Sequence, residues 1–392
     1  MRKILLILLI FSAIFAKDQQ PSQIPPAQMF YIDLEPEFCN EACLNTLLKD
    51  GLLISFLARF NSQKIADKTL LATYNNLNQS ILIAVKNGDK IAVILPSKII
   101  KSYSHIVAKS LMAYALRSDS KIGLKFINSD DESGFNLQKA LDNARNAGIS
   151  NFIAVLTTNG ANTISPLLKD DETLYLPTIS NANFTNQNIV FGGVDYGLQI
   201  EKLIAYTNGK ITAFSDGSVV GRTLNDMVKT LSGGEIFEIE MSVKDVNLKS
   251  YFTKFSRLNS SSIFLNLPLI KATLIATQLK TFEITPFALL STQINYDPKF
   301  ISLVKQKDRQ NLYLANSINS DDSEIFAKSA LLDLDMRFNH VSYSCAVGFD
   351  YLQSLIDTNK ERIFNKNITN NQITYQTEIL KTDKYGFVKV SE

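Results

Sequence analysis

Between residues 90 and 315, short apolar runs rich in β-branched residues alternate with longer stretches of helical periodicity, and the rhythm runs through twice. The first pass has strand-like runs at 90–96, 122–127, 152–156, 174–177 and 189–191, with helical stretches at 101–118, 134–147, 161–169 and 196–206 between and after them. In the second helical stretch Leu137, Ala140, Leu141 and Ala144 share one stripe, and Gly148 stops it. Pro166 lies inside the third. After Asn208-Gly209 the second pass opens, with strand-like runs near 211–214, 235–241, 262–267, 286–290 and 311–315. Strands of this length, separated by helices, cannot pair as hairpins. They form parallel sheets covered on both faces. The expected class is α/β, with two doubly wound parallel-sheet lobes and a small N-terminal α-helical segment. Lobe 1 is placed at about 88–207 plus about 317–360. Lobe 2 is placed at about 208–316 plus a strand-like C-terminal tail with a turn near Tyr385-Gly386.

The chain starts Met1-Arg2-Lys3, continues with an unbroken apolar run over 4–11, and reaches Ala16 just before Lys17-Asp18. A basic start, a short apolar core and a small boundary residue read as a secretory signal peptide over 1–16. The run is shorter than the roughly 20 residues needed to span a bilayer. No Cys follows it to mark a lipid anchor. The expected location is periplasmic, with no stable membrane insertion after cleavage. A Gln/Pro-rich leader over 17–34 leads to a helical segment over 35–87, in which Leu44, Leu47, Leu48, Leu52, Phe56 and Phe60 recur at three- and four-residue steps.

Cys39 and Cys43 stand four apart in that segment. On a helix their Cα atoms are about 6 Å apart, within reach of a disulfide. A local bridge and a pair of buried thiols are the two readings. A metal site is disfavoured, because the only histidines are His105 and His340. Of 40 Lys and Arg, two leave with Arg2 and Lys3, and the remaining 38 face 38 Asp and Glu. A charge-balanced chain has no basic surface to hold nucleic acid or an anionic bilayer.

Four segments carry a resemblance. They are Lys90-Ile91-Ala92-Val93-Ile94-Leu95-Pro96, Pro177-Thr178-Ile179-Ser180-Asn181-Ala182, Ala213-Phe214-Ser215-Asp216-Gly217-Ser218-Val219-Val220-Gly221-Arg222, and Gly348-Phe349-Asp350-Tyr351. In order and spacing they resemble the type I periplasmic binding proteins, from Lys90 to the end of the chain. The family includes branched-chain amino acid receptors and proteins resembling the activators of penicillin-binding proteins. The resemblance implies two lobes joined by three crossovers, with a cleft that closes on a ligand. Amino-acid binders of the family hold the ligand carboxylate with Ser or Thr after the third strand, where this chain has Thr157-Thr158-Asn159. It departs at Phe184, where a Thr is usual, and at Val220, where Tyr is common. Asp216 is the nearest candidate for the ligand ammonium and Asp297 a poorer one. The activators join a helical-repeat region to a lobe pair like this one. The helical part here is far shorter and the lipid-anchor Cys is missing.

Ligands of open α/β sheets bind outside the strand carboxyl ends. The cleft candidates are therefore Ser97, Tyr103, Thr157, Thr158, Asn159, Ser180, Asn181 and Asp216. Gly192-Gly193 lacks phosphate-loop spacing and reads as a strand-to-helix turn. Asp130-Asp131-Glu132 and Asp321-Asp322 read as acidic helix starts. No G-x-S-x-G occurs, neither His has a Ser/Asp constellation, and no cofactor motif is present. The expectation is a non-enzymatic protein without cofactor, acting as an envelope scaffold or regulator on a protein partner in cell-wall synthesis or motility machinery. The alternative is a solute-binding protein that captures a small polar ligand for an ABC-type transporter or receptor.

Overall fold

The computed structural model describes residues 38–50, 52–62, 64–81, 90–118, 120, 122–180, 184–242, 248–253, 255–319 and 322–390. The signal peptide, the leader, the ends of the helical segment and Asn181 lie outside the described residues.

Two sheets of seven strands carry the chain. The first holds β1 (Lys90–Leu95), β2 (Gly123–Asn128), β3 (Asn151–Ala154), β4 (Thr173–Leu176) and β5 (Ile189–Phe191), all parallel, in the order β5-β4-β3-β1-β2. The second holds β6 (Ile211–Ser215), β7 (Phe237–Glu240), β8 (Ser262–Asn266), β9 (Ala288–Ser291) and β10 (Leu312–Asn316), again parallel, in the order β10-β9-β8-β6-β7. Helices cover both faces. The fold is therefore α/β with two doubly wound lobes. β6, β8 and β9 are buried at every position, which explains their mostly apolar sequence, with Thr212, Ser215, Ser262, Asn266 and Ser291 as buried polar exceptions. In the first lobe Leu137, Ala140, Leu141 and Ala144 meet Ala92, Ile94, Phe152 and Ala154 in one core. Pro166 ends its helix without a kink. The α-helix Thr158–Ile164 passes into a 3-10 turn, Ser165–Leu167, whose opening takes the proline.

The C-terminal tail does not all join the second lobe. β11 (Ile368–Thr369) and β12 (Gln372–Ile373) extend the first sheet, with Gln372 pairing Phe191. Only β13 (Glu378–Thr382), antiparallel to β10, and β14 (Phe387–Lys389), antiparallel to β13, extend the second. The chain thus passes between lobes three times, at 192–195, 317–322 and 374–377.

The N-terminal segment is three helices, Glu41–Lys49, Leu53–Arg59 and Lys68–Ile81. Its core of Cys39, Leu44, Phe56, Leu57, Phe60, Ile65 and Leu70 draws only on the segment itself. Phe60 stacks on Tyr74 at 4.3 Å between ring centroids. Cys39 and Cys43 form a disulfide with Cα atoms 5.3 Å apart. Glu41 accepts from the N–H groups of Ala66 (3.1 Å) and Asp67 (3.0 Å), tying the first helix to the start of the third. Among the described residues no helix is long and apolar enough to cross a membrane.

Candidate functional site

Parallel strands send their carboxyl ends to one edge of their sheet, so the loops after β1, β3 and β4 gather Ser97, Tyr103, Thr157, Thr158, Asn159 and Ser180 at an edge of the first sheet, while Asp216 follows β6 in the second. Ser97 opens a short helix after β1, and its N–H reaches Asn128 Oδ1 at 3.4 Å. Lys98 beside it pairs with Asp130 at 3.7 Å. Tyr103, 47% exposed, starts the following helix. Ser180 is half-buried after β4. Thr157 caps the helix after β3, with Thr158 and Asn159 exposed in its first turn. The two hydrogen-bond donors of Thr157 are already taken. Its N–H donates to Glu132 Oε1 at 2.6 Å and its hydroxyl to Glu132 Oε2 at 2.5 Å. Glu132 comes from the loop after β2, and Gly160 makes room for it. A Cβ at Gly160 would lie 2.5 Å from the Glu132 carboxyl carbon. The carboxylate therefore sits on the N–H and hydroxyl that would grip an incoming acid.

The acidic run around Glu132 divides its roles. Asp131 holds its own loop, accepting from Ser133 N–H (3.0 Å), Ser133 Oγ (2.7 Å) and Asn136 Nδ2 (2.7 Å). Those donors, the Ser133 hydroxyl first, lower its pKa to about 2. Glu132 instead crosses to the next strand's loop. Local sequence reads both as helix-start acids, and only tertiary contact separates them. Asp322 does act as a helix start, accepting from the N–H groups of Glu324 and Ile325.

In the second lobe Asp216 turns inward to its own loop, accepting from Ser218 N–H (3.1 Å) and Ser218 Oγ (2.5 Å). Asp297 caps the helix Pro298–Leu303. Arg222 pairs with Glu240 at 3.0 Å. Phe184 packs on Phe191 with centroids 5.0 Å apart and belongs to the first lobe's core. Deeper in the second lobe, Gln199, Gln293, Asn316, Ser317 and Thr377 form a buried network.

No family model matches the sequence, and no curated protein matches it. Solved structures do. The leucine binding protein LivK of Thermotoga maritima superposes with a TM-score of 0.56 at 14% identity, over 77% of this chain and 98% of that one. A branched-chain amino acid ABC transporter protein of Thermus thermophilus with bound valine gives 0.58 at 12% identity, over 78% and 96%. The C-domain of LpoA from Haemophilus influenzae, a regulator of PBP1A, gives 0.52 at 10% identity, over 77% and 100%. The chain has the type I periplasmic binding protein fold. Solute binders and a protein regulator share this fold, so it does not choose between the two activities.

The crossovers between the lobes are bonded to one another. Gly192 carbonyl accepts from Ser344 Oγ (2.7 Å) and Tyr375 hydroxyl (2.8 Å). Tyr175 hydroxyl meets Ser344 Oγ at 3.1 Å. Ser317 and Thr377 hydroxyls meet at 3.0 Å, and Asn319 Nδ2 donates to Gln376 carbonyl at 2.8 Å. Tyr343 hydroxyl donates to Asn319 carbonyl at 2.7 Å. Burial pushes the Tyr375 phenol up to about 12 and the Tyr175 phenol well above its ordinary value, so both stay protonated as donors. Sequence reading missed this cluster, because tyrosines and serines far apart in the chain carry no spacing signal.

His340 opens the long helix His340–Ile356 beside the first crossover, edge-on to Tyr196 at 6.4 Å. Burial lowers its pKa to about 4. Between pH 6.5 and 4 the unfolded chain takes up this proton and the folded chain does not, so stability falls as pH falls through that window. The imidazole is only half-buried, which limits the loss to about 2 kcal/mol. Urea midpoints from pH 7 to pH 4 are expected to fall less steeply in His340→Gln than in the parent. Parallel slopes would disprove the assignment.

Proposed function

We propose that this protein is a non-enzymatic scaffold or regulator of the cell envelope, working through contacts with protein partners such as wall-synthesis or motility machinery. The observation that carries this reading is the Glu132 carboxylate on Thr157. An amino acid bringing its own carboxylate would compete with this one for the same donors, and would either displace it or lie against a like charge. Two further features support it. The charged groups at the strand ends are paired within the chain, as Lys98–Asp130 and Arg222–Glu240. Beside them stand exposed apolar side chains at the helix starts: Ile99 and Phe135 after the adjacent strands β1 and β2, and Val219, Val220 and Ile270 after the adjacent strands β6 and β8. Phe135 is 79% exposed and Val219 83%. Apolar surface of this kind suits a protein contact better than a small polar solute. The Cys39–Cys43 disulfide is consistent with an oxidising, extracytoplasmic location.

The solute-binding alternative keeps Thr158, Asn159 and Ser180 as available polar groups. Thermal unfolding against amino acids and sugars separates the readings. A true ligand at ~100 times its Kd adds about 2.7 kcal/mol. The expected result is no shift for any of them. A photoreactive phenylalanine analogue at position 135 is expected to crosslink an envelope protein in cells, and the same analogue at Tyr385, far from the strand ends, is not. A solute that raises the melting temperature, with no crosslink at 135, would replace the scaffold reading by the alternative.

A further inference from the structure

The second lobe carries two joined depressions at the amino ends of β8, β9 and β10, opposite to the carboxyl edge of the second sheet that holds Asp216. The larger encloses about 650 Å³. Tyr206, Phe287 and Tyr313 wall it, and Ser260, Thr285 and Asn311 add neutral polar groups. Tyr206 and Tyr313 pack together with centroids 4.7 Å apart, and Phe287 is 51% exposed. The smaller encloses about 130 Å³ over an apolar floor that includes Leu279, Ile284 and Leu289. Its rim carries Lys280, Lys307 and Asp308. The two share Thr285, Pro286 and Asn311, so they form one continuous groove.

We propose that this groove binds an extended peptide segment of a partner protein, with one aliphatic side chain in the small chamber and an acidic residue next to it. Volume sets the anchor, since a cavity of ~150 Å³ takes a benzene-sized group. Charge sets the neighbour. Lys280 and Lys307 are exposed and make no ion pair among the described residues, and the same rim carries one carboxylate, Asp308, against these two ammonium groups. Asp308 Oδ1 is buried and accepts no hydrogen bond. The aromatic wall with hydroxyl and amide groups suits a backbone lying along it, because rigid aromatic side chains give contact area at low entropic cost. The site is separate from the strand-end surface of the proposed function, and neither depends on the other.

Panning a displayed dodecapeptide library on the full chain, followed by calorimetry with the synthesised winners, tests the groove. Enrichment of an aliphatic residue beside Asp or Glu is expected. Phe287→Ser should weaken the winners at least tenfold. Joint Lys280→Glu and Lys307→Glu substitution should turn the preference from acidic to basic neighbours. These side chains are exposed, and an unchanged urea midpoint verifies that the variants fold. The proposal is overturned if no such motif is enriched, if Phe287→Ser leaves affinity unchanged, if the charge reversal has no effect, or if Phe135→Ser abolishes binding instead. Equal binding of free leucine would also overturn it, since the backbone contacts would then be idle.

Discussion

Asp350→Ala is expected to lower the free energy of unfolding by about 3–5 kcal/mol, the usual cost of removing one partner from a buried charged network. Asp350 is 1% exposed. Its carboxylate accepts from Tyr114 hydroxyl (2.9 Å), Ile363 N–H (2.8 Å) and Phe364 N–H (3.1 Å), and from Arg362 at 3.3 Å. Burial raises its pKa above the ordinary carboxyl value in spite of these donors. The carboxylate is thus not a strong net stabiliser by its charge. The loss comes from what alanine leaves behind: the N–H groups of Ile363 and Phe364, the Tyr114 phenol and Arg362 Nε lose this acceptor, while the guanidinium keeps only the Lys366 carbonyl. Tyr114→Phe removes one donor and should cost only about 1 kcal/mol. Urea unfolding of the two variants checks the ratio. An alanine variant that loses no more than the phenylalanine variant would show that the 362–364 turn does not depend on this residue.

The second large effect is expected at Gly348. A Cβ there would lie 2.2 Å from two ring carbons of Tyr175, and one at Gly192 would lie 1.9 Å from the same tyrosine's hydroxyl. Tyr175 is fully buried and held between the long helix His340–Ile356 and the first crossover. It has nowhere to swing, so Gly348→Ala should destabilise by about 3 kcal/mol. In a Tyr175→Ala background the same substitution should cost less than about 1 kcal/mol, because the colliding ring is gone. Gly386→Ala, with nothing within 4 Å of the added carbon, is the neutral control. A penalty at Gly348 that persists without the ring would place its cause in the helix backbone.

The parts of this fold legible in the sequence are those set by local periodicity. Runs such as 91–96 and 211–214 are mostly apolar because both faces of their strands are covered, and a continuous run survives any choice of neighbour. The Cys39–Cys43 bridge was legible as one of two readings, since four residues of helix fix the distance. The division of the tail was not. Ile368 to Ile373 and Glu378 to Thr382 are both short strand-like runs, and which sheet edge each meets depends on where the last crossover falls. The candidate site was legible by position and not by partner. Thr157 was placed at a strand end from the order of elements, yet its occupant Glu132 lies 25 residues away and looked like part of an acidic helix start.

The sequence by itself determined two parallel-sheet lobes behind a helical segment, because hydrophobic period and turn residues are properties of neighbouring positions. Only the tertiary structure decided that Glu132 occupies the Thr157 donors, that Tyr175 fills the space left by Gly192 and Gly348, and that Asp350 is enclosed rather than offered to a ligand. Each of those depends on a distance between residues remote in the chain, which packing sets and no local pattern records.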